Sequence, residues 1–296
     1  IRELKKKNFH NIITATKTEL DLINQTKVLK FLKKKKPDFI FIAAAKVGGI
    51  HANNTYKGQY IYENLMIQTN LIHSAFLCGI KNLIFLGSSC IYPKNCKQPI
   101  KEDYMLDGKL EKTNDAYSIA KIAGIKMCES YNEQYNTNYK CLMPTNTFGP
   151  NDNYHSLNSH FVPALIRKIH EAKIKHKKNI TLWGNGKSKR EILYVDEIAK
   201  ACIYFMNKKI KETIINIGSG KDYSIKDYAK LFIKIISPEK KINIKYNLSK
   251  PNGTKRKILD VSLAKKYGWY ANYNLEEQII RTYESYKVEN LKNIKI

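Results

Sequence analysis

Ser88 and Ser89 close an apolar strand-like run, Cys90 follows them, and Tyr117-x-x-x-Lys121 begins 27 residues after the cysteine. Those residue types suit hydride transfer at a carbonyl. A tyrosine and a lysine four apart on a helix share one face. A phenol of ordinary pKa about 10 gives up its proton near pH 7 only if its anion is stabilised. A drop of about three units asks for roughly 4 kcal/mol, which the Lys121 ammonium and an oxidised nicotinamide together could supply. Ser88 can hydrogen-bond the same carbonyl oxygen and stabilise its developing charge. Tyrosine and lysine abound here, so the spacing alone is weak. Its weight comes from lying between a Gly-Ser-Ser strand end and a Pro-Thr-Asn strand end.

Cys90 is not needed for simple reduction. A ketone acidifies the C–H bonds on both neighbouring carbons, and a base beside it can remove and return those protons with inversion. A thiol of ordinary pKa about 8.5 needs a cationic or helix-terminal neighbour to act so. His160 could be the acid on the opposite face. From spacing alone, a packing cysteine and a surface histidine is the plainer reading of this pair, since 70 residues separate them. Trp183, Arg190 and Arg256 form a third set. A tryptophan before Gly-x-Gly can stack on a base and an arginine fork suits a diphosphate, or Trp183 can anchor a small apolar cluster. Both readings stay open on the residues.

The elements that must position these groups alternate. Phe39 opens the run FIFIAAA, typical of a parallel strand buried on both faces. A helix is expected over about 60–77, a strand over 82–86, a helix over about 114–135, and a strand over 139–143 stopped by Pro144. Each site-like segment (Ala44–Gly49, Ser88–Cys90, Pro144–Asn146) follows a strand, and ligands of open α/β sheets bind beyond the strands' carboxyl ends. Residues 151–190 are expected as loop and helix leading to Ile180–Gly186, and further strands over 192–195 and 214–218, with a helix from Asp196. The last strand returns the chain to the main sheet. The expected division is a dinucleotide-binding unit over 1–152, rejoined by 191–220, and a smaller substrate-binding unit from 153–190 and 221–296.

The chain has 296 residues and a net charge of +26. Only five of its 52 basic residues are arginine, and the rest accompany many Ile, Asn and Tyr, all with A/T-rich codons. The charge is therefore read as base composition rather than a nucleic-acid face, and each arginine as a candidate for bidentate recognition. The runs Lys5–Lys7 and Lys33–Lys36 lack interleaved aromatics and read as solvated helix faces. Six cysteines without a C-x-x-C pair suggest reduced thiols in a cytoplasm. No apolar run approaches the roughly 20 residues of a membrane span, no signal peptide is visible, and no metal site is expected.

The strings AAAKVGGIHANN (43–54), FLGSSCIYPK (85–94), AYSIAKIAGIKMCESYN (116–132), MPTNTFGPNDNYHSLNSH (143–160), LWGNGKSKREILYVDEIA (182–199) and SKPNGTKRKILDVS (249–262) occur in order. From about Thr18 to Tyr283 the chain resembles the GDP-L-fucose synthases, extended short-chain dehydrogenase/reductases that epimerise a GDP-4-keto-6-deoxymannose at C3 and C5 and reduce it at C4. The resemblance implies a Rossmann-type doubly wound parallel sheet with a smaller C-terminal substrate domain, NADPH as cofactor, a GDP-sugar as substrate and a homodimer. It implies Ser88, Tyr117 and Lys121 as the reductase triad, with Cys90 as epimerisation base and His160 as acid, against the plainer reading of that pair. Leu86, Gly87, Ser88 and Ser89, with Pro144, Thr145, Asn146 and Thr147, match cofactor contacts. Lys121 also holds the ribose, His160 adjoins the cofactor, and Lys17 would face the 2′-phosphate and favour NADPH over NADH. Lys168, Trp183, Arg190 and Asn252 match GDP-sugar contacts.

Asn252 stands where the family pattern reads Asp, which loses a charge and keeps an acceptor. Lys168 stands where Arg also occurs. No G-x-x-G-x-x-G loop, the family's pyrophosphate cradle, precedes Lys17. Residues 1–5 read as the remainder of the helix after that loop, so about 20 residues, with the first, central strand of the sheet, are expected to be missing. The chain alone is then expected to bind cofactor poorly and to be at risk of not folding. The rival readings are another nucleotide-sugar epimerase, dehydratase or reductase of the same fold, and a non-catalytic Rossmann binding protein.

Overall fold

Apolar runs too short to be helices become parallel strands, and the longer stretches between them cross over as helices. The structure, a computed structural model, describes residues 1–156, 158–250 and 252–294. Helices α1 (Arg2–Lys6) and α2 (Gln25–Lys35) precede strand β1 (Phe39–Ile42). Asn24 caps α2 by accepting from the Lys27 amide, which satisfies one orphan donor of its first turn. The strand is shorter than the FIFIAAA run: its pairing ends at Ile42, opposite Phe85, and residues 43–49 leave as a loop. Helices α3 (Ile50–Thr55) and α4 (Lys57–Leu77) follow, then β2 (Asn82–Leu86), α5 (Asp115–Tyr135) and β3 (Asn138–Pro144).

Next come β4 (Asn146–Phe148), α6 (Phe161–Ile174), β5 (Asn179–Trp183), β6 (Lys189–Tyr194), α7 (Val195–Met206) and β7 (Ile214–Ile217). The main sheet has the order β1-β2-β3-β7, all parallel. Side chains alternate across it with the period of two that strands impose. Phe85, Cys141 and Met143 face α2, α4 and α5 through Val28, Leu32, Leu71, Ile72 and Ile125. Ile84, Leu142 and Ile215 face α7 through Ile198, Ala201 and Phe205. Both faces are thus covered, as a parallel sheet requires. Where α5 crosses α4 at Gly124, an added Cβ would meet Gln68 and Phe85 at 2.8 Å, so the glycine permits the close approach.

The remainder holds β8 (Asp222–Ser224), α8 (Ile225–Ile236), β9 (Asn243–Asn247), β10 (Arg256–Lys257), α9 (Ser262–Lys266) and α10 (Leu275–Ile294). A small sheet runs β10-β6-β4 with β8 antiparallel to β6, and β5 pairs β9. Ser224 and Asp227 form a reciprocal capping box at α8. Helices α6, α8 and α10 close a second core over Phe148, Ile192 and Tyr194. Of residues 191–220, β6 pairs within the small sheet, while α7 packs on the main sheet and β7 extends it. Residues 295–296, the end of the expected substrate unit, lie outside the described residues.

Candidate active site

The catalytic candidates gather where β2 ends. The Gly87 amide donates to Leu142 O at 2.9 Å, extending the ladder one residue, and a Cβ at Gly87 would strike the Met143 thioether. Ser88 is extended, and its hydroxyl accepts from the Cys90 amide at 3.2 Å. That folds residues 89–91 into a single 3-10 turn. Ser88 also hydrogen-bonds Tyr117, one turn into α5. Lys121, one turn further, is 3% exposed. Its ammonium donates to Leu86 O at 2.8 Å and lies 4.5 Å from the Phe85 ring centroid and 5.9 Å from that of Tyr117.

Burial, then the neighbouring Cys90, raises the Tyr117 pKa, and the Ser88 hydrogen bond opposes them. Burial likewise pulls Lys121 down to about 8. Lys121 therefore does not by itself lower the Tyr117 pKa. The ammonium is directed at a backbone carbonyl, and desolvation of the phenolate dominates. Tyr117 consequently holds its proton, the form a donor needs.

Cys90 is fixed to the same helix. Ser118 Oγ donates to Cys90 O at 2.9 Å, Asn114 Nδ2 to Cys90 Sγ at 3.2 Å, and Lys257 Nζ lies 3.6 Å from the same sulfur. Asn114 and Lys257 were not foreseen. Both sit inside or beside the quoted strings, yet nothing in their spacing ties them to a cysteine 24 and 167 residues away. His160, which directly precedes α6, is exposed by area. It nevertheless lies among enough protein that desolvation, then the Lys257 charge, lowers its pKa. Cys90 and His160 thus share Lys257 as a neighbour. The loop 43–49 packs against the His160 segment through Gly49 N to Asn158 O at 2.8 Å, and a Cβ on Gly49 would meet Ser159 O.

The second strand end lies alongside. Thr145 N donates to Ile217 O at 3.1 Å, Thr145 Oγ1 and Asn146 Nδ2 donate to Glu191 O at 3.2 and 2.8 Å, and Thr147 Oγ1 reaches Thr145 O at 3.3 Å. These side chains stitch the main sheet to the small one, just after Pro144. A nicotinamide nucleotide fits the floor they form with Leu86, Gly87, Ser88 and Ser89. Gly87 lets the backbone lie flat, and among the described residues Lys121 gives hydrogen bonds only to Leu86 O, so its further donors suit ribose hydroxyls. Lys17 stands apart on an exposed turn over residues 17–19.

Trp183 ends β5 with 43% of its surface exposed, so it does not anchor an apolar cluster. Gly184 has φ +67°, a left-handed turn that favours glycine, and a Cβ there would hit Asn252. Asn252 Oδ1 accepts from the Asn185 amide at 2.7 Å, and Ser188 Oγ donates to Asn252 O at 2.8 Å. The amide in place of a carboxylate therefore keeps the acceptor and uses it to hold the Trp183 turn. Arg190 donates to Thr254 O at 2.6 Å, and burial lowers its pKa. Lys168 donates to Thr181 O at 2.9 Å, and its pKa is also lowered, first by burial. Arg256 is committed elsewhere, to a two-bond pair with Asp222 at 2.6 and 3.1 Å.

Comparisons with known proteins place the chain in a family. The family model of the NAD dependent epimerase/dehydratase family matches residues 1–218. The chain is 45% identical to GDP-L-fucose synthase 1 of Arabidopsis thaliana over 294 residues, covering 99% of this chain and 89% of that protein. It is 44% identical to GDP-L-fucose synthase of Escherichia coli (strain K12) over 292 residues, 96% of this chain and 90% of the relative. Among solved structures, the GDP-mannoheptose C4 reductase MlghC from Campylobacter jejuni, with NADP bound, superposes with TM-score 0.87 at 39% identity, over 97% of this chain and 93% of that one.

Proposed function

The chain belongs to the NAD dependent epimerase/dehydratase family, among its GDP-L-fucose synthases, and we propose that it converts GDP-4-keto-6-deoxy-D-mannose to GDP-L-fucose with NADPH. The observation that carries this reading is the clamp on Cys90, which the Ser88 hydroxyl and Ser118 hold beside Tyr117. A reductase alone has no use for a thiol there.

When bound, NADPH supplies the hydride for C4. The chain's own residues do the rest. Trp183, beside the turn braced by Asn252, with Arg190 on β6 and Lys168 on α6, orients the GDP-sugar with its ketone over the end of β2. Cys90 and His160 move protons at C3 and C5, one taking a proton on one face of the enolate while the other returns one on the opposite face. Ser88 then hydrogen-bonds the C4 oxygen, and Tyr117 donates its retained proton to it. Lys121 steadies the phenolate left behind and turns its further donors to the cofactor ribose, and Lys17 favours the 2′-phosphate of NADPH. Leu86 to Ser89 and Pro144 to Thr147 form the cofactor floor.

The chain is proposed to work as a cytoplasmic homodimer. No described helix is long and apolar enough to cross a membrane, and all six cysteines are free, as suits a reducing compartment. Helices α4 and α5 expose Tyr62, Leu77 and Ile119, which a partner copy would cover. Product identification with GDP-4-keto-6-deoxy-D-mannose and with UDP-keto sugars tests the reading. GDP-L-fucose is expected, whereas a C4-reduced sugar with uninverted centres would make the protein a plain C4 reductase.

A further inference from the structure

Lys257 has no place in the reaction just described, yet it sits where one group could serve both proton-transfer candidates. Its Nζ is 3.6 Å from Cys90 Sγ, and its charge is felt at His160. Among the described residues no carboxylate pairs with it, whereas its neighbour Arg256 is neutralised by Asp222. A half-buried ammonium 3.6 Å from a sulfur is placed to stabilise negative charge that develops on it. The lysine is also held in place. It pairs with Arg190 across β10 and β6, the next amide donates to Gln98 Oε1 at 2.9 Å, and the one after to the buried Glu191 at 2.9 Å. On the other side of the sulfur, Asn114 Nδ2 lies at 3.2 Å, a second donor suited to a negative acceptor. Tyr117 from α5, which keeps its proton, and Lys257 from β10 flank Cys90, and the Lys257 charge is felt at His160 and at the Cys96 thiol as well. Lys257 contributes the positive charge.

We propose that Lys257 is a positioning residue for epimerisation, its ammonium holding the Cys90 sulfur as the anion that takes the proton from carbon. The inference rests on reading Cys90 as the epimerisation base. In the step, a C–H bond beside the ketone breaks, its electron pair enters the enolate, and an S–H bond forms while the Lys257 charge is unchanged. Reprotonation of carbon on the opposite face, through His160, restores the C–H bond with a solvent-derived proton. The sulfur-bound proton then leaves to water, which restores the sulfur anion and balances the proton delivered to carbon. Burial, and after it the same Lys257 charge, disfavours imidazolium at His160, which relays the solvent proton to carbon.

The test compares the purified protein with Lys257→Met, Lys257→Arg and Cys90→Ser. Trypsin releases Cys90 in a peptide spanning residues 82–94 that holds no other cysteine. Its alkylation at pH 7 by neutral iodoacetamide and anionic iodoacetate can therefore be followed by mass spectrometry. Solvent deuterium entry at C3 and C5 of the keto sugar is measured in parallel. Lys257→Met should slow alkylation about tenfold, abolish any preference for the anionic reagent and slow deuterium entry about tenfold. Lys257→Arg should restore most of all three. Should Lys257→Met fail to fold by circular dichroism, Lys257→Gln makes the same comparison. Wild-type alkylation rates and reagent preference in the neutral variant would overturn the proposal. Undiminished deuterium entry in Cys90→Ser would instead sink the reading of Cys90 as the base, a failure the alkylation data keep distinct.

Discussion

At the scale of single residues the site divides its labour by environment. Tyr117 keeps its proton because burial penalises the phenolate, and Lys121 is pulled to about 8 for the mirror-image reason, that burial penalises its ammonium. Lys121 must be charged to steady the phenolate as Tyr117 gives up its proton. The rate of C4 reduction is therefore expected to fall as pH rises through about 8. NADPH oxidation against pH, at saturating keto sugar, checks this. Lys121→Arg, which stays charged, should lack that limb even if its absolute rate is low, and a wild-type rate flat to pH 10 would contradict the assignment. Tyr117 and Lys121 were legible because four residues on one helix bring two side chains together without help from the rest of the fold. Asn114 and Lys257 were not. Their contact with Cys90 is made by tertiary packing, which local spacing does not encode, and Lys257 is one lysine among many.

At the scale of elements, β3 carries a cost the sequence does not advertise. Tyr139 to Met143 reads as an apolar strand, yet Lys140 lies within it at 2% exposure, with its Nζ on Asn138 Oδ1 at 2.7 Å, and burial lowers its pKa to about 8. Below pH 8 the lysine is charged in both the folded and unfolded states, so folding bears the full cost of burying the charge. Between about 8 and 10.4 the unfolded chain binds more protons, so this term makes stability rise with pH. Lys140→Met should therefore stabilise the fold by about 1–3 kcal/mol at pH 7, with the gain shrinking toward pH 10. Urea titrations at pH 7 and pH 9.5 measure both quantities, and a destabilised variant at pH 7 would show that the Asn138 bond outweighs the desolvation. The strand and helix order was readable from alternating apolar runs and long amphipathic stretches. The end of β1 was not, because alanine suits a strand and a loop equally and only the end of pairing to β2 stops it.

At the scale of the whole molecule, two cores meet at the crevice. The main sheet brings Ser88, Cys90, Tyr117 and Lys121, the small sheet carries Arg190 and Lys257, α6 and β5 carry Lys168 and Trp183, and Glu191 ties both sheets to the loops at 218–220 and 259. The convergence of three strand ends was legible as a rule of parallel sheets. The bridging role of β10 was not, since two residues in a polar stretch give no strand signal. The proposed homodimer belongs to this scale. Sedimentation equilibrium should give twice the chain mass, and Ile119→Asp on the exposed face of α5 should shift it toward monomer. A monomer at all concentrations in the wild type would remove the dimer from the account.

The central claim is that one crevice both inverts carbons and reduces the ketone, with Cys90 responsible for the first. The most direct measurement is product analysis in heavy water with GDP-4-keto-6-deoxy-D-mannose and NADPH, for the wild type and Cys90→Ser. The wild type should yield GDP-L-fucose carrying deuterium at C3 and C5, and Cys90→Ser a slowly formed product reduced at C4 with both centres uninverted and undeuterated. GDP-L-fucose from Cys90→Ser at the wild-type rate would contradict it.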